Sequence, residues 1–214
     1  PQRRRGRPDR SDPRWAARMS FFDDPVPPPD RVAEPPRPPQ PPWFGPPPDV
    51  LPGVLAERAV VFRTDEVALF FGHFRAYQTG VMFELNLWVR EPEEDSDGPP
   101  WELHGRPRPS GSPDTFLRFG VELADGSKWT NLDWTMRRPD VMPNGPVVVG
   151  RGGGGGGKSW SWDYWLWPLP PDGPLTFVAL WPAHGVPESR SAIDGTLLRA
   201  AAETAELVWP SESD

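Results

Sequence analysis

Hydrophobic and polar residues alternate strictly along Val81–Arg90, "VMFELNLWVR": Val81, Phe83, Leu85, Leu87 and Val89 fall on one side, Glu84, Asn86 and Arg90 on the other. A period of two is the mark of a strand with one buried face. The pattern recurs after residue 116, with Leu117, Phe119, Val121 and Leu123 inward and Arg118 and Glu122 outward. Asp125-Gly126 then supplies the positive φ values of a two-residue hairpin turn, and Lys128–Leu132 returns. Further strands are predicted at Arg58–Thr64, Val67–Gly72, Trp101–His104, Val147–Val149, Trp160–Trp167 and Leu175–Trp181. Short strands separated by Gly and Pro turns predict a mainly β domain, an antiparallel two-layer β-sandwich with a barrel as the alternative.

The period changes near the end. Asp194 can cap a helix, and "TLLRAAAETAEL" places Leu197, Leu198, Ala201, Ala205 and Val208 on one side, predicting one α-helix over about 195–208. Such a helix needs an apolar partner, and the sheet is the candidate.

Residues 1–53 fit neither period. They hold about half of the 33 prolines, which lack the donor hydrogen and fix φ, and few groups to bury. A disordered, Arg- and Pro-rich arm is expected there, with a single domain over 54–214. PxxP spacings beside Arg37 in Pro35–Pro42 match what SH3-type grooves read, but a plain spacer is the favoured reading. The Arg-rich opening fits an anionic partner, and equally an upstream extension, since "MSFFDDPVPPPD", from Met19, reads as a natural beginning.

The formal charge of −7 over 214 residues sits mostly in the body, so the folded part is not expected to bind nucleic acid. The chain has no cysteine, which excludes disulfides, thiol nucleophiles and thiolate metal sites. No apolar run reaches membrane-spanning length, and a soluble, cytoplasmic protein without cofactor is expected. Lysine occurs only at Lys128 and Lys158 beside abundant Arg, a codon bias that lowers the weight of Arg, Pro and Gly.

"VVVGRGGGGGGKSWSWDYWLWP", 147–168, satisfies G-x-x-x-x-G-K-S/T through Gly152, Gly157, Lys158 and Ser159. A phosphate loop needs a helix to open at the Lys-Ser pair, so that backbone N–H groups point at the anion. Here alternating aromatics follow, closed by Pro168. The motif is read as a false match and the glycine run as a flexible connection.

On the strand after it, Trp160, Trp162, Tyr164 and Leu166 share one face and Ser161, Asp163, Trp165 and Trp167 the other. The first set reads as core. The second is polar early and aromatic late, so its late end needs a cover or a ligand. The C-terminal helix, through Leu197, Leu198 and Ala201, is the favoured cover. The alternative is a carbohydrate site at Asp163, Trp165 and Trp167, with the rings stacked on a sugar.

His73, His104 and His184 are isolated, so no metal site is expected. Glu84, Glu122, Asp133 and Asp163 could in principle supply a carboxylate pair, but alternation turns strand acids outward, where they are solvated. Trp181–Arg190, with His184, Glu188 and Arg190, reads as a turn. The segments "FRTDEVALFFGHFRAYQTGVMFEL", "LRFGVELADGSKWTNLD", "GGGGGGKSWSWDYWLWPLPPDGPLTFV" and "WPAHGVPESRSAIDG" resemble an uncharacterised family of proteins from GC-rich bacteria. The resemblance implies one folded unit over about 58–209 with the glycine run as a shared connection, and implies no activity. The expected role is a non-catalytic binding or assembly module, with a protein partner or self-association. Carbohydrate binding is one alternative; a hydrolase or a nucleotide binder is the other.

Overall fold

The computed structural model describes residues 40–91, 116–132 and 141–209, which lie in one unit, Pro39–Asp214. The arm before residue 40, the start at Met19, the strand at Trp101–His104 and Asp133 fall outside them. The chain runs β1 (Val50–Leu51), β2 (Gly53–Leu55), β3 (Ala59–Arg63), β4 (Val67–Tyr77), β5 (Gly80–Val89), β6 (Arg118–Glu122), β7 (Lys128–Thr130), β8 (Val147–Gly156), β9 (Ser159–Trp167) and β10 (Pro174–Trp181). A 3-10 turn at Pro182–His184, β11 (Val186–Asp194), helix α1 (Gly195–Glu203) and β12 (Glu206–Leu207) complete it.

All pairing is antiparallel. The first sheet has the order β2-β4-β5-β9-β8, with β3 continuing β2 along the same edge of β4; the second has the order β11-β10-β6-β7. Neither closes into a barrel. The two sheets share one core: Phe71, Phe74, Phe83, Leu85 and Tyr164 of the first meet Phe119, Val121, Phe177 and Ile193 of the second. Phe71 stacks on Phe177 with ring centroids 4.3 Å apart, and Phe119 meets Tyr164 edge-on at 5.4 Å. Such aromatic pairs add about 0.5–1.5 kcal/mol each beyond area burial. The mainly β, sandwich-like architecture with one helix follows from the alternation read in the sequence.

Four expectations are corrected. First, the folded unit begins before residue 54. Trp43 and Phe44 are half-buried and β1 pairs with β12, because two aromatics among the prolines give this segment enough apolar surface to dock. Second, the glycine run is no flexible connection. Residues 147–156 form one strand paired with β9 as far as Gly156↔Ser159, and Gly157-Lys158 make the hairpin turn. A glycine strand is possible because the indoles of β9 replace the missing side chains. An added Cβ on Gly153 would strike the Trp162 ring, and one on Gly155 would meet Trp160. Third, the helix stops at Glu203, where Thr204 returns a side-chain hydrogen bond to the carbonyl of Ala201 at 2.7 Å. Fourth, Trp181–Arg190 is not merely a turn: from Val186 it is β11, where Pro187, Glu188 and Arg190 are exposed and the half-buried Ser189 between them is polar, which hides the alternation.

Asp194 caps α1 as its sequence position implies, accepting from the N–H of Thr196 at 2.9 Å. Leu198 and Ala202 enter the core, and the helix lies on β2 and β4.

Candidate functional site

Which residues face outward from the first sheet is set by pairing. Inward lie Val81, Phe83, Leu85 and Leu87 of β5 and Trp160, Trp162, Tyr164 and Leu166 of β9. Outward, the ladder aligns three rows across β4, β5, β9 and β8: Gly72, Glu84, Asp163 and Gly152; Phe70, Asn86, Ser161 and Gly154; Ala68, Trp88, Ser159 and Gly156. These rows form the polar half of the face. Beyond them lie Tyr77, Met82, Val149, Trp165 and Trp167.

The aromatic half is covered, but not by α1. Trp165 has no exposed surface; it packs on Tyr77 and Met82, and its indole N–H donates to the carbonyl of Pro42 at 2.9 Å. Trp43 meets Trp167 edge-on at 5.9 Å. Arg151, the extra residue where the β8 register shifts between Gly150 and Gly152, donates from Nη1 to the carbonyl of Phe44 at 3.0 Å. Residues 42–45 thus strap this half of the sheet. The proposed sugar-stacking role of Trp165 fails for lack of surface, and Trp167 is half-buried under Trp43. Asp163 is the member of that trio that remains accessible.

Two side chains, His73 and Arg75, reach the polar half through a second bulge. Between Gly72 and Arg75, β4 spends three steps against two on β5, which reverses its parity. Phe71 and Phe74 therefore both point into the core, while His73 and Arg75 both come out over the open face. His73 takes the left-handed conformation at φ 53°, uncommon for a side-chain-bearing residue. Its Nδ1 lies 3.3 Å from Oε1 of Glu84. Arg75 donates from Nη2 to Oδ1 of Asp163 at 2.6 Å. Glu84 and Asp163 are direct cross-strand partners, an arrangement of like charges that costs energy unless each has a counter-ion. Sequence alternation identified both acids as outward; it gave no means of seeing that they are neighbours, or that Arg75 would join them.

Asn86, which the sequence reading did not single out, sits beside this quartet. It is 9% exposed, and its amide nitrogen has no hydrogen-bond partner. The Nε of Arg75 is likewise buried and unpartnered. Trp88, two residues further along the same face, is 53% exposed.

The other candidates separate. Glu122 is on the second sheet, 3.0 Å from Arg190 and 3.5 Å from Lys128, which hold its carboxyl below the usual range, Arg190 chiefly through a hydrogen bond. His184 packs on Trp181 at 4.0 Å. Among the described residues no group of His, Asp and Glu could hold a metal ion, and no helix is long and apolar enough to cross a membrane. Ser159 opens a strand and not a helix, so the Gly-Lys-Ser motif has no amide cradle for a phosphate. A cleft of ≈ 400 Å³ beside Trp167 and Pro168 is bounded by Asp125 and Arg199, but Asp125 is bound to Ser127, and Arg199 lies on Asp172. No protein-family model matches this chain, and no curated protein or solved structure matches it.

Proposed function

We propose that this chain is a non-catalytic binding module whose ligand lies on the polar half of the outward face of the first sheet. Asn86 carries the reading. A buried, unpartnered amide costs about 1–3 kcal/mol, and a ligand acceptor that reaches it as the neighbouring side chains shift recovers that cost. The neighbouring groups support it. Glu84, Asp163 and Ser161 present acceptors on one rigid surface, and the left-handed His73 belongs to the same cluster. NMR of the full chain, following the Asn86 side-chain amide and the Trp88 indole, tests this. The probes are glucose and galactose oligomers, lysine and arginine peptides, and phosphate. Saturable movement of both signals with at least one probe is expected; no movement with any of them ends the reading.

A second reading has one observation in its favour. Glu84 and Asp163, as ladder partners, are close enough to work as a carboxylate pair. The 2.6 Å ion pair to Arg75 opposes it, since it occupies Oδ1 of Asp163. Release of nitrophenol from aryl glycosides, abolished by Glu84→Gln, would establish hydrolysis.

A further inference from the structure

From the same face, and resting on the reading of it as a ligand surface, we infer that the ligand is a neutral saccharide, lying across Trp88, Asn86, Ser161 and Asp163 against the bare backbone of β8. Charge decides first. Oδ1 of Asp163 is held by the guanidinium of Arg75 and Oε1 of Glu84 lies beside the imidazole of His73, so both carboxylates already have a partner and the cluster keeps no free guanidinium for a phosphate. It does offer hydrogen bonding: carboxylates and a side-chain amide provide paired acceptors and donors that match vicinal hydroxyls. Shape agrees. Gly152 and Gly154, opposite Asp163 and Ser161, carry no side chain, and space beside them is open to 4 Å. The result is a flat shelf one strand wide, on which a ring can approach main chain directly. Four strands at about 4.8 Å spacing span roughly 14 Å, wide enough for an oligomer, with β8 the edge strand among the described residues. Trp88 supplies the exposed indole face that stacks on the apolar side of a pyranose.

The placement differs from a stacking site on Trp165 and Trp167, which the strap occupies. It leaves Trp88 as the aromatic platform and Asn86 as the buried donor.

Binding of the full chain to an array of neutral oligosaccharides (glucans, mannans, xylans, galactans), followed by calorimetry on the hits, tests the inference. At least one neutral glycan should bind, and Trp88→Ala should weaken it at least tenfold. Trp88 is exposed, so this variant leaves the fold intact; Asn86→Ala, checked by its unfolding curve, should weaken binding similarly. Trp209→Ala, another exposed tryptophan at 80%, should bind as the parent does. If no neutral glycan binds while a charged probe moves the Asn86 signals, the saccharide class is wrong and the ligand face stands. If glycans bind and Trp88→Ala is without effect, the placement is wrong. If no probe of any kind moves Asn86, both fall.

Discussion

Trp165 and Pro42, 123 positions apart in sequence, are joined by an indole N–H donated to a main-chain carbonyl at 2.9 Å. This bond fastens a proline-rich segment to the aromatic half of the sheet and makes residues 42–45 part of the domain. Trp165→Phe should remove this hydrogen bond to the exposed Pro42 and cost about 0.5–1.5 kcal/mol. Trp165→Ala should cost about 3–5 kcal/mol by opening a cavity as well. Urea unfolding midpoints measure both. A Trp165→Phe midpoint equal to the parent's would mean that the strap contributes nothing.

The glycine strand should answer to substitution with a period of two. Gly153→Ala places a methyl group against the Trp162 indole and should cost about 1–3 kcal/mol through overpacking. Gly154→Ala points into open space and should stay within about 0.5 kcal/mol of the parent. Equal losses at the two positions in chemical denaturation would contradict the register.

Burial pushes the phenol of Tyr164 well above its ordinary value of 10.0, and that of Tyr77 upward as well, against the opposing charge of Arg75. A raised value means that the folded state retains the proton longer than the unfolded chain. This stabilisation is complete below pH 10 and declines as pH rises from there through the folded-state values. One such group lowers stability by about 1.4 kcal/mol per pH unit. Tyr164→Phe should flatten the alkaline slope, and adding Tyr77→Phe should flatten it further, as read from urea midpoints between pH 9 and 11 on the order of one unit either side of the ordinary value. An unchanged slope in the double variant would show that other groups set it.

The Arg75–Asp163 pair is short, but its side chains are 41% and 38% exposed, so solvent screens it. A double-mutant cycle with Arg75→Gln and Asp163→Asn should give a coupling below about 1 kcal/mol. Coupling of several kcal/mol would make the pair a stability device and weaken its assignment to the ligand face.

Lys158 occupies a hairpin turn, where its carbonyl accepts from the N–H of Val89 at 2.9 Å. Excess Mg-ATP should leave the Tm unchanged in the parent and in Lys158→Ala. Stabilisation by the nucleotide, lost in the variant, would restore the phosphate-loop reading.

Much of this molecule could be read from local pattern. Alternation along Val81–Arg90 and Leu117–Leu123 fixed which side chains enter the core, because side-chain direction in a strand follows from position alone. The cap at Asp194 and the strand character after Lys158 are equally local, as is the place of the hairpin at Asp125-Gly126, although its loop is three residues, 124–126, with Gly126 and not Asp125 at positive φ, in place of the two-residue turn expected. The division of the outward β9 face into a polar and an aromatic half was visible in the order Ser161, Asp163, Trp165, Trp167. What covers the aromatic half was not, because docking of Trp43 depends on contacts more than a hundred residues distant in sequence.

Tertiary structure decided the rest. Two inserted residues, at the bulges near His73 and at Arg151, reverse strand parity, and no period-two reading anticipates where a strand gains a residue. One bulge brings His73 and Arg75 over Glu84 and Asp163; the other sends Arg151 to the strap. The glycine run became a strand only because the tryptophans of β9 lie across it. Local chemistry chose the faces, and long-range pairing chose the neighbours: a strand's own sequence sets its two sides, whereas register and cover are properties of the chains beside it.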